Sequence, residues 1–146
     1  MAKYVIDTNV YIDGFAGRAD GQALKSFLYT HLADTFLSAV VVQELRVGAR
    51  TGAAAAALQA EVFAPFERRG RVFAPSAAAF KECGRVLVDL ITKEKIPYAD
   101  TKPALVNDVL LGVSCREHGI TLITNDTDFT LIRRHVRGMR VAAPWP

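Results

Sequence analysis

The sequence predicts an α/β fold, a single-domain parallel β-sheet flanked by helices, and three observations support this prediction. Short apolar runs rich in β-branched and aromatic residues alternate along the chain with longer segments of helical periodicity. No internal repeat interrupts that alternation. The chain has 146 residues, 51% of them hydrophobic, which suits one compact domain over residues 1–146.

Five segments have the pattern of short strands. The first, Tyr-Val-Ile at residues 4–6, fits a central strand that is covered on both faces. The segment Ile-Thr-Leu-Ile-Thr at residues 120–124 has the strongest strand pattern in the chain. The other predicted strands cover residues 34–38, 71–74 and 139–141. In an open parallel sheet, ligands bind at the carboxyl ends of the strands, and the switch point here is expected beside the first strand.

Large apolar residues at helical spacing predict the elements between the strands. Ser38 is placed to cap a helix over residues 39–50, and Ser76 to cap a helix that extends to about residue 94. The predicted buried stripe of the second of these helices is Phe80, Cys83, Val86, Leu87, Leu90 and Ile91. Further helices are predicted over residues 21–32, 53–69, 105–118 and 131–135. In the helix over residues 53–69, Pro65 is expected to cause a kink.

Composition and charge narrow the classes of function. No apolar run of about eighteen residues is present to span a membrane, and the N-terminus lacks the pattern of a signal peptide, so the protein is expected in the cytoplasm. Cys83 and Cys115 have no Cys or His neighbour at metal-binding spacing, so both are expected to be reduced and structural. A formal charge of +3 and a pI of about 9.0 favour a polyanionic partner only weakly.

Acidic residues stand at the ends of predicted elements. Asp7 ends the first strand, where Thr8 or Asn9 alone would suffice to cap the helix that follows. Asp7 is therefore additional negative charge close to the core. The other acidic residues placed at or near element ends are Glu44, Asp108, Asp126 and Asp128.

Carboxylates that meet in one place need a counter-charge. Closely packed carboxylates raise one another's pKa unless a cation lies between them. An all-oxygen site suits the hard cations Mg²⁺ or Mn²⁺. In phosphodiester cleavage such ions polarise the phosphoryl oxygen and make a nucleophile from water, so no His or Cys nucleophile is needed.

Each acid also has an ordinary structural explanation, and for Asp7 taken alone a capping or turn aspartate is the favoured one. By position alone, Glu44 fits a solvated helix residue equally well, although its apolar neighbours argue against that. Asp108 is placed to cap its helix together with Asn107, and Asp126 and Asp128 are favourable turn formers. Only their joint arrangement favours a shared site.

Four short motifs occur in order along the chain. They are Val-Ile-Asp-Thr-Asn at residues 5–9, Ser-Ala-Val-Val-Val-Gln-Glu-Leu at 38–45, Asn-Asp-Val-Leu at 107–110 and Leu-Ile-Thr-Asn-Asp-Thr-Asp-Phe at 122–129. Together they resemble the PIN domain, and most of all the VapC toxins of type II toxin–antitoxin systems. The resemblance runs over nearly the full chain, but residues 51–102 carry none of it.

This resemblance implies a Mg²⁺- or Mn²⁺-dependent endoribonuclease, often homodimeric, that a cognate VapB-like antitoxin inhibits. The residues that it implies as catalytic metal ligands are Asp7, Glu44, Asp108 and Asp126. The residues that it implies in supporting roles are Thr8, Asn9, Thr124 and Asp128. Of the two acids after the strong strand, Asp126 is assigned to the metal and Asp128 to the turn.

Five arginines are candidates for contacts with RNA phosphates: Arg46, Arg50, Arg133, Arg134 and Arg137. A solvated basic face explains any one of them about as well. No aromatic series of the kind that reads RNA bases is visible in the sequence, so no base specificity is predicted.

Other classes of protein share some of these features. A receiver-type signalling domain has a Lys-Pro pair after an apolar strand and adjacent acids on its first strand, whereas Lys102 and Pro103 lie in a polar loop and Asp7 stands alone. A haloacid-dehalogenase-like phosphatase needs a second Asp where this chain has Asn9. A PIN-like RNA-processing nuclease without a toxin role, and a catalytically inactive RNA- or protein-binding module, stay open as alternatives.

Overall fold

The computed structural model describes residues 2–146, and a five-stranded parallel sheet forms its centre. The strands are β1 (Tyr4–Ile6), β2 (Thr35–Ser38), β3 (Val72–Phe73), β4 (Thr121–Ile123) and β5 (Arg140–Ala142). Their order across the sheet is β3-β2-β1-β4-β5. The predicted α/β fold with a parallel sheet flanked by helices is confirmed.

Strand β1 lies in the middle of this sheet. Tyr4 is opposite Thr35 of β2 on one side and Thr121 of β4 on the other. Val5 and Ile6 are fully buried, as expected for a strand that is covered on both faces. The chain moves outward from β1 through β2 to β3, and β4 then returns to the opposite side of β1. The predicted switch point beside the first strand is therefore present, and it opens a crevice at the carboxyl ends of β1 and β4.

Helices connect the strands within residues 2–146. They are α1 (Thr8–Ala16), α2 (Arg18–His31), α3 (Ala39–Gly48), α4 (Gly52–Leu58), α5 (Ala64–Glu67), α6 (Ala77–Thr92), α7 (Pro103–Glu117) and α8 (Asp128–Ile132). The hydroxyls of Ser38 and Ser76 accept hydrogen bonds from the first turns of α3 and α6, as predicted. None of the described helices has the length and apolar character needed to cross a membrane. Cys83 and Cys115 are buried free thiols, as expected for cysteines with a structural role.

The long helix predicted over residues 53–69 is divided in the structure. A π-helical turn, Gln59–Phe63, lies between α4 and α5, and the N–H of Ala64 donates to the carbonyl of Gln59. Pro65 follows at the second position of α5 and has no N–H to continue the α-helical ladder. The proline expected to kink the helix thus lies directly after a widened turn.

One core prediction is wrong. Phe80 was assigned to the buried stripe of α6, but 59% of it is exposed. The buried face of α6 is centred on Ala79, Cys83, Val86 and Leu90. Each residue of an α-helix turns the side chain by about 100°, so Phe80 points away from the face that its neighbour Ala79 buries.

Helices α1 and α2 approach each other closely at two glycines, Gly14 near the end of α1 and Gly21 near the start of α2. A Cβ atom on Gly21 would lie 2.7 Å from the carbonyl oxygen of Gly14. A Cβ atom on Gly14 would lie 2.6 Å from Cδ2 of Leu24. Because the Gly14 oxygen belongs to the backbone, it cannot move aside as a flexible side chain can.

We expect Gly21→Ala to lower the free energy of unfolding by about 1–3 kcal/mol, since the added methyl group forces the two helices apart. Gly84→Ala is the matched control, because Gly84 also lies inside a helix but its Cβ would meet nothing within 4 Å. There the substitution should stabilise by roughly 0.5–1 kcal/mol through helix propensity alone. Urea denaturation followed by circular dichroism measures both values, and equal effects at the two sites would contradict the helix-crossing explanation.

Candidate active site

Asp7 lies at the switch point of the sheet. Its N–H donates to the carbonyl of Ile123 at 2.9 Å, which aligns the ends of β1 and β4. The residue is 3% exposed, and its Oδ1 accepts a 2.8 Å hydrogen bond from the N–H of Thr8. Asp7 itself occupies the N-cap position of α1, so the expectation that Thr8 or Asn9 would cap this helix is wrong. The extended backbone of the strand end continues into the cap position, which leaves Thr8 as the first helical residue.

Thr124 joins Asp7 to the turn after β4. Its hydroxyl donates to Asp7 Oδ2 at 2.7 Å and accepts from the N–H of Asp126 at 2.9 Å. Because the oxygen accepts from a backbone N–H, the hydroxyl proton is directed at Asp7. Thr124 therefore orients one carboxylate and one turn at the same time.

Glu44 reaches the same crevice from α3. Its Oε1 accepts a 2.8 Å hydrogen bond from the hydroxyl of Thr8, and the side chain is half-buried. Helix α3 begins directly after β2, because Ser38 ends the strand and caps the helix. The structure thus decides between the two explanations of Glu44: it is not a solvated helix residue but faces Asp7.

Three further carboxylates lie beside these two. One oxygen atom each from Asp108, Asp126 and Asp128 lies within 4.8 Å of the others. Asp108 is half-buried in the second turn of α7, whose N-cap residue is Lys102, so it does not cap that helix. We call Asp7, Glu44, Asp108, Asp126 and Asp128 the acid cluster.

The structure assigns the turn differently from the sequence. The N–H of Asp128 donates to Asp126 Oδ1 at 2.9 Å, so Asp126 is the acceptor that stabilises the turn. Asp128, which was assigned only to the turn, presents its carboxylate to Asp108 and Asp126. Helix α8 consequently starts at Asp128, three residues before the predicted short helix.

Burial and mutual repulsion raise the pKa of two acids in this cluster. The pKa of Asp108 rises to about 8, mainly through burial and then through the charges of Asp7, Asp126, Glu44 and Asp128. The pKa of Asp7 rises to about 6, again mainly through burial; hydrogen bonds from Thr124 and Thr8 lower it, and the charges of Glu44 and Asp126 raise it. The acid cluster therefore holds less negative charge at neutral pH than its five carboxyls would carry in water.

The donor atoms of the acid cluster fit a hard divalent cation. All five side chains offer oxygen, the ligand atom that Mg²⁺ and Mn²⁺ prefer. Asn9 adds to this, because its Oδ1 is buried and has no hydrogen-bond partner among the described residues. Asn9 was expected to support Asp7, but the hydrogen bonds that Asp7 receives come from Thr8 and Thr124.

A link that sequence reasoning missed holds the two sides of the crevice together. Asn125 Nδ2 donates to Asp13 Oδ2 at 3.2 Å, and so connects the turn after β4 to α1. The two residues are 112 positions apart, and no local pattern pairs them.

The five arginines expected to contact RNA lie on two segments. Arg46 and Arg50 are exposed at the end of α3 and just beyond it, and Arg46 donates to the carbonyl of Ala49. Arg133, Arg134 and Arg137 follow α8 and are also exposed. Arg134 lies 3.7 Å from Glu94. Within residues 2–146, none of these arginines forms an ion pair with the acid cluster.

The raised pKa values predict how stability depends on pH. Because Asp7 and Asp108 bind their protons more tightly in the folded state than the ordinary value of 3.8 implies, their protonation favours folding below about pH 4. As the pH rises above about 4 this contribution falls, and it is lost by about pH 6 for Asp7 and by about pH 8 for Asp108. In a chelating buffer, we expect the melting temperature of the wild type to fall over this interval and to recover when Mg²⁺ or Mn²⁺ is added.

Two variants isolate this effect in a thermal melt. Asp108→Asn removes the group whose pKa is raised most, so its melting temperature should fall less between about pH 6 and about pH 8. Asp100→Asn, in an exposed loop, should behave as the wild type. The same pH slope in wild type and Asp108→Asn would refute the assignment.

Comparison with known proteins places this geometry in a family. Residues 4–134 match the model of the PIN domain, and the resemblance predicted from the four motifs is confirmed. No curated protein sequence matches the chain.

Three solved structures with related folds cover almost the whole chain. FitAcB from Neisseria gonorrhoeae is 21% identical with a TM-score of 0.70, and the match covers 97% of this chain and 98% of that one. DNA-bound VapBC from Salmonella typhimurium is 19% identical with a TM-score of 0.70, and 98% of each chain is covered. A toxin–antitoxin complex from Klebsiella pneumoniae is 21% identical with a TM-score of 0.59, again with 98% of each chain covered. At these identities the likeness establishes the fold, and with the family match it shows that this chain belongs to the PIN domain family.

Proposed function

We propose that this chain is a Mg²⁺- or Mn²⁺-dependent endoribonuclease and the toxin of a VapBC-type toxin–antitoxin pair. The observation that carries the proposal is the acid cluster, in which β1, α3, α7 and the turn after β4 bring carboxylates together. A site made of oxygen ligands in a PIN domain is suited to hydrolysis of a phosphodiester without a covalent enzyme intermediate.

Four residues are proposed to hold the cation: Asp7, Glu44, Asp108 and Asp126. When bound, a divalent cation supplies Lewis acidity that polarises the phosphoryl oxygen and lowers the pKa of a water molecule. Asp128 is proposed as a further acid of the site, since its carboxylate lies beside Asp108 and Asp126.

Two threonines are proposed to orient the acids before RNA arrives. Thr124 fixes Asp7 Oδ2, and Thr8 fixes Asp7 Oδ1 through its N–H and Glu44 through its hydroxyl. Their hydrogen bonds stabilise the ionised form of Asp7 against its burial. The role of both threonines is therefore to position carboxylate oxygens.

The five exposed arginines, Arg46, Arg50, Arg133, Arg134 and Arg137, are proposed to contact RNA phosphates. Positive charge near an acidic site offsets the repulsion between the site and the phosphate backbone. These contacts position the RNA but do not select its bases. With RNA as substrate, the proposed activity takes place in the cytoplasm.

The proposed partner is a VapB-like antitoxin, and the proposed assembly of the toxin itself is a homodimer. One of the similar folds is described as a toxin–antitoxin complex and another as VapBC. An apolar cleft of about 710 Å³ adjoins Glu44, and Ile12 and Phe15 in its lining are more than half exposed. Such a cleft suits an apolar segment of an inhibitor that ends beside the acid cluster.

We expect Asp7→Asn, Glu44→Gln and Asp108→Asn each to lower the rate of RNA cleavage by more than about 100-fold, because each removes a carboxylate that the proposed cation needs as a ligand. Asp100→Asn, in an exposed loop, should leave the rate unchanged. The measurement is cleavage of total RNA with and without Mg²⁺ or Mn²⁺, with folding checked by thermal melting. Cleavage that survives Asp108→Asn or a chelator would reject the metal-dependent mechanism, whereas RNA binding without cleavage by wild type would favour an inactive binding module.

Growth separates a toxin from an RNA-processing enzyme. Expression of the wild type alone should arrest growth, and Asp7→Asn or co-expression of the neighbouring gene should relieve the arrest. The measurement is colony formation after induction, followed by mapping of the cut RNA ends. Normal growth with an active nuclease would replace the toxin role by RNA processing.

A further inference from the structure

Three arginines surround a rigid turn far from the acid cluster in sequence. Arg68 and Arg69 lie in the turn that follows α5, and Arg71 leads into β3. The N–H of Gly70 donates to the carbonyl of Glu67 and the N–H of Arg71 donates to the carbonyl of Phe66, which is the Schellman arrangement that ends a helix. Gly70 has a φ of 63°, a value that favours glycine.

The backbone of Arg71 is also tied to the sheet. Its carbonyl accepts a 2.9 Å hydrogen bond from the N–H of Leu37 in β2. The turn is thus held by a helix end on one side and by a strand on the other, so its arginines are presented from a fixed backbone.

Aromatic rings lie next to these arginines. The guanidinium of Arg71 stands over the ring of Phe36 at 5.1 Å from its centroid. Phe36 contacts Phe73 edge to face with centroids 6.5 Å apart, and Phe73 contacts His118 in the same manner at 4.9 Å. Phe36, Phe73 and Arg71 are all partly exposed.

The strand register explains why these rings meet. Ser38 is opposite Phe73, and side chains two apart on a strand share a face, so Phe36 and Phe73 lie on the same face of the sheet. Strand β3 is an edge strand, so no further strand covers that side. We call Phe36, Arg68, Arg69, Arg71, Phe73 and His118 the arginine–aromatic patch.

The patch has excess positive charge. No carboxylate lies within ion-pair distance of Arg68, Arg69 or Arg71 in the part of the chain that the structure describes. The acids near it are Glu67, which accepts from Gln59, and Glu117, which accepts from Ser76 and lies 3.7 Å from His118. Arg69 donates to the carbonyl of Pro65 at 2.8 Å, which leaves its charge without a carboxylate partner. Arginines without a carboxylate partner beside partly exposed rings complement a ligand with phosphates and flat bases.

We propose that the arginine–aromatic patch binds single-stranded RNA outside the acid cluster, with arginines on phosphates and rings against bases. The inference rests on the proposed ribonuclease function and names a second contact surface for its substrate. Neighbouring strands are about 4.8 Å apart, so β3 lies roughly 10 Å from β1. This value is the separation across the sheet alone. Arg68, Arg69 and Arg71 precede β3 and His118 follows α7, toward the amino ends of the strands. RNA that contacts both surfaces therefore also has to run along the strands to the acid cluster. Positive charge combined with aromatic platforms is how proteins hold single strands with little base specificity.

The test is RNA binding in a chelating buffer, where the acid cluster holds no cation and cleavage is absent. The probe is a fluorescein-labelled, unstructured RNA of about a dozen nucleotides, followed by fluorescence anisotropy at several salt concentrations. Arg68→Gln with Arg69→Gln should weaken binding by about 10-fold or more and reduce the slope of log Kd against log salt by about 1.4. Lys81→Gln with Lys102→Gln, which removes the same charge from exposed positions elsewhere, should leave both quantities unchanged.

A second pair of variants tests the rings. Phe36→Leu should weaken binding by about 5-fold or more while the salt slope stays constant, because stacking contributes no counterion release. Arg71→Lys keeps the charge but replaces the planar guanidinium over Phe36, so it should weaken binding less than Phe36→Leu does. Thermal melts of each variant show whether a loss of binding reflects a loss of folding.

Three outcomes would overturn the proposal, and a fourth would separate it from the proposed nuclease function. Equal losses in the arginine and lysine double variants would mean non-specific attraction to net charge. Unchanged binding in Arg68→Gln with Arg69→Gln would remove the patch from the RNA path. Binding of a labelled acidic peptide of the same length, with no binding of RNA, would make the surface a protein-binding one. Binding that depends on the patch in a wild type that never cleaves RNA would reject the nuclease but retain the patch.

Discussion

The hydroxyl of Thr124 is the contact on which the acid cluster depends. It donates to Asp7 and accepts from the N–H of Asp126, so one group joins the end of β1 to the turn after β4. Without it, buried Asp7 and half-buried Asp126 would lack a shared hydrogen-bond partner to offset the repulsion between their charges. The crevice at the switch point can therefore hold carboxylates at a fixed spacing, and α3 and α7 bring Glu44 and Asp108 to it.

The acid cluster lowers the stability of the fold when no cation is bound. Burial and repulsion raise the pKa of Asp7 to about 6 and that of Asp108 to about 8. Folding thus disfavours the ionised carboxylates that a cation would need as ligands. A cation bound between them would offset this effect by lowering their pKa values. Under the proposed function, metal binding and stability would be coupled through the same carboxylates, so a melting experiment tests the site without any substrate.

Charge is divided between two parts of the molecule. Acids converge at the carboxyl ends of β1 and β4, whereas unpaired arginines surround Gly70 beside the edge strand β3. A polyanion is repelled by the first region unless a cation is present, and is attracted by the second at any time. This division agrees with an overall charge of +3, and in the proposed function it offers an RNA strand two different points of contact.

The sequence by itself determined the strands, most helix starts and the kind of site, because periodicity, caps and motifs act over a few residues. Only the tertiary structure decided which acids meet and how: Asp126 accepts from the turn through Oδ1, and both Asp126 and Asp128 bring a carboxylate oxygen close to Asp108. It also left Phe80 exposed and brought Phe36 beside Arg71. The physical reason is that such contacts join residues far apart in the chain. The order of the strands and the rotation of each helix about its axis determine these contacts, and neither can be read from a local sequence pattern.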